Sequence, residues 1–209
     1  ACARARRAVH GGDRALMAEP AATENAAWVD IELPLAPQQA LGYARNIERL
    51  LRLNPHLEIA RFEVEADSRY RLEGLNEMNG LAVSCGLTLR EEGADGFRLD
   101  YDGGLKLATQ VTAAAHAGGA LLTLRESYRQ PQSEADLAQV DRSLTPWGMS
   151  IRRHLLGLAR WRWLPGYRWW RERIWLNMKP RERRVSRLIV WATLVEFVLF
   201  VAAIWAFLY

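Results

Sequence analysis

The sequence has little of what builds a metal site or a disulfide framework. Only two of its 209 residues are cysteines, and one of them, Cys2, lies in an arginine-rich leader. The four histidines are scattered, and no cysteine or histidine pair has the spacing of a zinc ligand set. We therefore expect no disulfide, metal or cofactor, a pattern typical of a reducing compartment.

The first sixteen residues lack the apolar core that a secretory signal peptide requires. We predict that residues 1–25 form a disordered leader. Met17 begins a stretch typical of an ordinary protein start, so one interpretation places the true start of translation there. The other interpretation is a basic, flexible arm.

Positive charge is abundant in only one long segment. The formal net charge is +4, yet residues 152–187 carry twelve Lys/Arg and two Glu. Residues 17–151 carry a net charge of −8. Because an acidic main domain does not offer the basic surface that nucleic acid requires, we predict no nucleic-acid partner.

A long apolar run occupies residues 188–209, LIVWATLVEFVLFVAAIWAFLY, with Glu196 as its one charged residue. As a helix it would be about 33 Å long, against about 30 Å for a bilayer core. We predict a transmembrane tail anchor, although a buried helix has the same composition. The preceding positive charges predict a cytoplasmic domain. High Ala, Arg and Leu content suggests a GC-rich bacterial genome, hence a bacterial inner membrane.

Glu196 makes this run unusual, because a charged residue near the bilayer centre costs roughly 2.5–3.5 kcal/mol on insertion scales. Ala192, Glu196 and Ala203 fall on one helical face, and small residues beside a polar one favour close helix packing. We therefore predict a partner transmembrane helix, from another copy or another protein. The alternative is a protonated Glu196 tolerated in lipid.

A Trp/Arg-rich neck, residues 161–187, precedes the anchor. The stretch RWRWLPGYRWWRER (160–173) holds four tryptophans and five arginines. Tryptophan favours the headgroup level, and arginine attracts anionic headgroups. We predict an interfacial helix over 167–178, with His154 facing the headgroups. The predicted membrane-interface residues are Trp161, Trp163, Arg168, Trp169, Trp170, Arg171 and Trp175. The alternative is a helix packed on the domain, with its tryptophans in the core.

The main domain begins with WVDIELPL (28–35), whose alternation predicts a strand. PQQALGYARNIERLLRLNP (37–55) has helical periodicity. Short turns then separate six further strand-like runs, which predicts antiparallel pairing. These runs are 57–66, 69–78, 81–91, 96–102, 105–115 and 120–128.

A long amphipathic helix closes the domain, starting near Ser133. Its apolar stripe contains Leu137, Val140, Leu144, Trp147, Ile151, Leu155 and Leu158. Thr145-Pro146 predicts a break in this helix, since proline suits a first turn better than a helix interior.

This order of elements resembles the START-like (SRPBCC, polyketide cyclase-like) superfamily. The resemblance covers residues 26–160 and rests on the first strand and helix, the glycine-punctuated strands and the closing helix with Trp147. It implies an α+β helix-grip fold, in which a curved antiparallel sheet surrounds the last helix. It also implies a cavity for a hydrophobic small molecule. The cavity residues predicted on this basis are Phe62, Tyr70, Leu72, Val83, Leu87, Phe97, Tyr101, Leu124, Trp147 and Ile151. The alternative is that these side chains fill the core and leave no cavity.

The sequence supports three hypotheses for function. The first is membrane-tethered binding, transfer or presentation of a hydrophobic, lipid-like molecule. The second is an accessory or assembly subunit of a membrane complex, docked through its transmembrane helix. The third is a cyclase- or hydrolase-type enzyme acting on a lipid-soluble substrate. We predict no catalytic residue: Tyr70, Tyr101 and Glu77 have no diagnostic spacing, and Cys85 lies on an apolar strand face typical of packing.

Overall fold

Seven antiparallel strands form one sheet in the order β1-β7-β6-β5-β4-β3-β2. The computed structural model describes residues 25–129 and 143–208, so most of the predicted leader lies outside the described residues. The six predicted runs after the first helical segment all form strands. The bounds are β1 Asn25–Leu33, β2 Leu57–Ala66, β3 Arg69–Asn76, β4 Leu81–Glu91, β5 Gly96–Tyr101, β6 Lys106–His116 and β7 Gly119–Tyr128.

Tight turns account for the pairing of consecutive strands from β2 to β7, whereas β1 pairs with the last strand, β7. Register shifts occur in β2 and in β6, where the shift lies between Lys106 and Ala108. Such bulges bend a strand and increase its twist. They provide curvature that lets a single sheet surround a helix.

Two short helices follow β1 where the sequence predicted helical periodicity: α1, Pro37–Ala44, and α2, Ile47–Arg52. They are separate because Asn46 caps the second one. Its side-chain oxygen accepts a hydrogen bond from the Arg49 backbone N–H at 3.0 Å. Asparagine favours this capping position over a helix interior, so the apolar periodicity continues across a break in the backbone helix.

The closing helix, α3, spans Leu144–Arg160. Pro146 lies in its first turn, where proline is tolerated because no helical hydrogen bond is lost. The predicted start near Ser133, with Leu137 and Val140, lies outside the described residues. The Trp147 indole N–H donates a hydrogen bond to the Leu50 carbonyl at 2.8 Å, so α3 is joined directly to α2.

After α3 the chain forms a short helix, α4, over Tyr167–Arg173, and a 3-10 turn, η1, over Trp175–Asn177. The single helix predicted over 167–178 is therefore wrong in its second half. A long helix, α5, spans Pro180–Leu208. In the described part of the chain, α5 is the one helix long and apolar enough to cross a membrane.

The core lies between the sheet and helices α1 to α3. Helix α1 packs on β6 and β7, and α3 packs on β1. Ile31, Leu122, Trp147 and Ile151 are all nearly completely buried. Burial of side chains of this size stabilises the fold by roughly 1.5–3 kcal/mol each. The predicted α+β helix-grip architecture is confirmed.

Replacing Gly148 by Ala should destabilise the domain by about 1–3 kcal/mol, because over-packing a core costs about this much. The added Cβ would lie 2.9 Å from Val29 Cγ2, within the contact between α3 and β1. Gly42→Ala in α1 is the matched control, since its Cβ would meet nothing within 4 Å. Thermal unfolding of the full chain in mild detergent measures both variants. Equal unfolding temperatures for Gly148→Ala and the parent would contradict this packing.

Candidate functional site

A partly open cavity of about 290 Å³ lies between the sheet and the helices. Its apolar wall includes Leu51, Leu57, Leu72, Val83, Leu105 and Trp147. The volume is near the lower end of the roughly 300–1,000 Å³ typical of small-molecule pockets. Such a cavity can hold a small ligand or one end of a longer one.

Polar side chains interrupt the apolar wall. They include Asn54, Asn76, Asn79, Ser84, Lys106 and Tyr128. Asn54 donates a hydrogen bond to the Ser143 hydroxyl at 2.8 Å. A cavity lined in this way suits an amphiphile better than a pure hydrocarbon, because the polar groups can pair with polar atoms of the ligand.

A buried ion pair forms the most polar part of this region. Lys106 pairs with Glu126, whose side chain is 0% exposed. The Tyr128 hydroxyl donates to the other Glu126 carboxylate oxygen. The Lys106 ammonium also lies 5.2 Å from the Tyr101 ring centroid and 5.3 Å from that of Trp147. Cation–π contacts of this kind stabilise a partly desolvated ammonium.

Burial shifts two other titratable groups around the cavity. It raises the pKa of the Cys85 thiol to about 11, with a smaller contribution from Asp102. Cys85 therefore stays protonated near neutral pH and is a poor nucleophile. Burial likewise raises the pKa of Tyr101, whose hydroxyl forms a 3.1 Å hydrogen bond with Thr109.

Four of the ten residues predicted for the cavity line it: Leu72, Val83, Tyr101 and Trp147. The other six belong to the packing around it instead. Leu87, Phe97, Leu124 and Ile151 are core residues, and Phe62 stacks on Tyr70 with ring centroids 5.5 Å apart. The inner face of the sheet extends beyond the cavity. An inward-facing side chain therefore need not line the cavity.

Sequence reasoning missed the Lys106–Glu126 pair. The alternation of β7 could have identified Glu126 as an inward-facing residue, since it shares a strand face with Ala120, Leu122 and Leu124. All four residues are buried. Lys106 had no such signal. The bulge after it interrupts the alternation of β6, so that Lys106 lines the cavity and Leu107 does not.

Ion pairs hold the neck and the start of α5 against the domain. Arg49 of α2 pairs with Glu172 of α4 at 3.2 Å, and Glu58 of β2 pairs with Lys179 at 2.7 Å. Arg184 pairs with Glu77 at 2.5 Å. Exposed pairs contribute only about 0–1 kcal/mol each. Together they determine where α5 leaves the domain.

Five of the seven predicted interfacial residues are exposed, Arg171 is half-buried and Trp175 is buried. Exposed aromatic and basic side chains are Trp161, Trp163, Arg168, Trp169 and Trp170, with Trp163 69% exposed. Trp175 is only 9% exposed. The 3-10 turn after α4 directs Trp175 into the packing, and neighbouring Leu176 belongs to the core. The packed interpretation therefore holds for Trp175, whereas the interfacial role of the exposed tryptophans stays a prediction.

His154 does not face lipid headgroups, contrary to the sequence prediction. It is buried, and its Nε2 shares a 2.6 Å hydrogen bond with the Tyr43 hydroxyl. Burial lowers the pKa of His154 to about 3, with repulsion from Arg171, Arg49 and Arg183 adding to the effect. His154 is therefore a neutral packing residue between the domain and the neck.

Neither a protein-family model nor a curated protein sequence matches this chain. Solved structures do match its fold. A START superfamily protein from Mycobacterium smegmatis has a TM-score of 0.50 at 12% identity, covering 65% of this chain and 98% of its own. A protein from Deinococcus radiodurans has a TM-score of 0.45 at 22% identity, covering 64% of this chain and 97% of its own.

The di-domain ARO/CYC protein StfQ from the steffimycin biosynthetic pathway has a TM-score of 0.47 at 13% identity, covering 62% of this chain and 49% of its own. The sheet closed by α3 already defines an α+β protein of the helix-grip class. The match to the Mycobacterium smegmatis protein identifies this fold as START-like, as the sequence resemblance predicted. At these identities the comparisons show the fold alone.

Replacing His154 by Gln should reduce the sensitivity of the fold to acid. The folded-state pKa of about 3 lies below the ordinary 6.5, so folding is unaffected by His154 above pH 6.5 and opposed by it as the pH falls towards 3. At pH 4 this amounts to about 3 kcal/mol. Urea unfolding of the full chain in detergent between pH 7 and pH 4 measures the slope.

Tyr43→Phe is the control for this experiment. It removes the hydrogen bond but keeps His154 buried, and burial is the largest cause of the lowered pKa. Its acid dependence should therefore match that of the parent. If His154→Gln loses stability with acid as steeply as the parent, His154 does not oppose folding in this way.

Proposed function

We propose that the protein binds an amphiphilic, lipid-like small molecule in its START-like cavity while α5 anchors it in a membrane. The cavity offers apolar walls beside the Lys106–Glu126 pair. Removing apolar ligand surface from water contributes about 25 cal/mol per Å². Lys106 and the asparagines then orient a polar group of the ligand. Transfer or presentation of the ligand would follow from reversible binding at this site.

One observation carries the proposal: Arg184, near the start of α5, contacts both segments at the rim of the cavity. We define the rim as residues 54–58 and 76–81. The Arg184 guanidinium donates to the Pro55 carbonyl at 3.4 Å and pairs with Glu77. Asn54 and Leu57 line the cavity on either side of Pro55, as Asn76 and Asn79 do around Glu77.

The rim also presents exposed apolar side chains. Leu81 lines the cavity and is 42% exposed, and Met78 is equally exposed. With α5 in a bilayer, a ligand could leave the lipid close to the cavity and cross little water. The exposed tryptophans of the neck fit the same orientation, because indole rings favour the headgroup level.

Filling the cavity should abolish ligand entry. In Val83→Trp the indole replaces a small side chain that lines the cavity. Full chain in lipid nanodiscs is exposed to a diazirine-bearing decanoic acid, irradiated, and mapped by peptide mass spectrometry. We expect labelling of β4 and of the β5–β6 turn in the parent, and a several-fold loss in Val83→Trp.

Val64→Trp is the matched control, because Val64 lies on β2 of the same sheet and is highly exposed. It makes the same substitution outside the cavity, so labelling should persist. Labelling confined to α5, or equal labelling of the parent and Val83→Trp, would exclude the cavity as the binding site.

A second function, as a subunit of a membrane complex, is favoured by the exposed surface of α5. Among the described residues, no other element packs on its apolar part. Leu188, Trp191, Ala192, Val195, Glu196 and Leu199 form a shallow groove along it. A partner helix on the face of Ala192, Glu196 and Ala203 would shield the carboxylate from lipid.

Glu196→Leu tests this second function. Loss of an interhelical hydrogen bond worth about 1–2 kcal/mol should weaken association of the helix about tenfold. Cross-linking in native membranes followed by denaturing electrophoresis measures the associated fraction. Val198→Leu alters a different face of α5 and should leave the associated fraction unchanged. An associated fraction equal in Glu196→Leu and the parent would argue against a partner at this face.

A further inference from the structure

Two arginines contact the buried ring of Trp175 where the neck joins α5, and a third lies one helical turn from one of them. The guanidinium groups of Arg171 and Arg187 each lie 5.5 Å from the Trp175 centroid, so they cannot be further apart than twice that distance. Arg183 lies one turn before Arg187 on α5 and is only 6% exposed. Most arginines with this little exposure are paired with an anion.

Residues 25–129 and 143–208 supply no such partner for these arginines. In the described part of the chain, no carboxylate forms an ion pair with Arg171, Arg183 or Arg187. The buried Nε atoms of Arg171 and Arg183 also find no hydrogen-bond acceptor among the residues that the structure describes. Glu77 is the carboxylate whose attraction reaches Arg183, but it is paired with Arg184. Burying an unpaired charge is costly, so each unpaired guanidinium calls for a physical reason.

The arginines also repel one another. Burial, followed by repulsion from Arg187, Arg52 and Arg171, lowers the pKa of Arg183 to about 10. Burial and repulsion from Arg153 lower the pKa of Arg171 as well. An anion among these groups would remove both the repulsion and the unmet hydrogen-bonding capacity.

The position of the cluster indicates the source of that anion. Arg187 immediately precedes the apolar run that starts at Leu188. Arg183 lies five residues before Leu188, about 7.5 Å along the helix axis. If α5 spans a bilayer, this is the depth of the phosphate groups, between the hydrocarbon core and water. Arginine is the side chain best suited to several hydrogen bonds with one phosphate.

We propose that Arg171, Arg183 and Arg187 form a binding site for one phosphate group, supplied by the headgroup of an anionic phospholipid. The inference rests on the proposed function, because it requires α5 in the membrane. The bound lipid neutralises the buried Arg183 and its two more exposed neighbours, and it fixes the neck at a defined depth. The exposed tryptophans and Arg168 contribute general affinity for the interface, whereas this site selects the phosphate.

Native mass spectrometry of the full chain, released from micelles of an uncharged detergent, tests the site. The probes are phosphatidic acid and diacylglycerol with the same acyl chains. The parent should retain one more molecule of phosphatidic acid than of diacylglycerol, because diacylglycerol has only the cavity available to it. Arg183→Gln and the more exposed Arg187→Gln should each reduce retention about tenfold or more, the size expected for a charge-assisted contact. Arg181→Gln removes an exposed charge from the same helix and should retain the lipid.

Thermal unfolding separates binding from a structural role. Without phosphate or anionic lipid, Arg183→Gln should unfold no earlier than the parent, since it removes an unpaired buried charge. A purely structural arginine would give earlier unfolding and an unchanged lipid count, and that result would overturn the proposal. Equal loss of lipid in Arg181→Gln and Arg183→Gln would also overturn it, because the attraction would then be diffuse.

Inorganic phosphate distinguishes the source of the anion. One outcome is that millimolar inorganic phosphate raises the unfolding temperature of the parent but not that of Arg183→Gln, while the parent retains no phosphatidic acid. This combination would support a phosphate site and overturn its assignment to a lipid. Photolabelling of the cavity in Arg183→Gln separates this inference from the proposed function. If Arg183→Gln loses phosphate binding but β4 is still labelled, the two sites are independent. If the cavity does not bind the probe at all, β4 is not labelled even in the parent.

Discussion

The rest of the structure depends on the packing of α3 against the sheet and α2. The absence of a side chain at Gly148 lets the helix approach Val29, and Trp147 bonds to the Leu50 carbonyl. The cavity is the space left between this helix, the end of α2 and the curved sheet. A small rotation of α3 would move Trp147 away from the Lys106 ammonium and change the shape of the cavity.

Burying polar groups in this core costs free energy, and the packing alone gives no reason for their presence. Glu126 is completely buried, and a buried ion pair is often no more stabilising than apolar side chains of the same volume. The proposed ligand-binding role would account for Lys106 and Glu126, because they would orient a ligand in an otherwise apolar space. The asparagines at the rim are consistent with the same role.

The neck does more than connect two parts of the chain. Arg184 contacts the rim of the cavity, whereas Trp175 and Leu176 pack into the domain. The start of α5 is thus coupled to the elements that bound the cavity. A ligand that moved the rim would change the environment of Arg184, and a lipid bound at Arg183 would act on the neighbouring turn. The cavity rim and the start of α5 are therefore in direct contact.

Periodicity, turn residues and composition determined the order of strands, the amphipathic character of α3, the neck and the apolar run. These properties are local, because each follows from a few neighbouring residues and the geometry of one element. The START-like fold was likewise predictable from that order. The Asn46 cap was also readable in principle, since asparagine followed by a helical run is a common start signal.

Only the tertiary structure decided which inward-facing residues line a cavity and which fill the core. Leu72 and Phe97 belong to the same apolar pattern, yet Leu72 borders the cavity and Phe97 does not, because the packing of α1 and α3 covers only part of the sheet. The bulge at Lys106, the burial of His154 and the contact of Arg187 with Trp175 depend on packing between separate segments. Sequence periodicity describes one element at a time, whereas a cavity or a charge cluster exists only between elements.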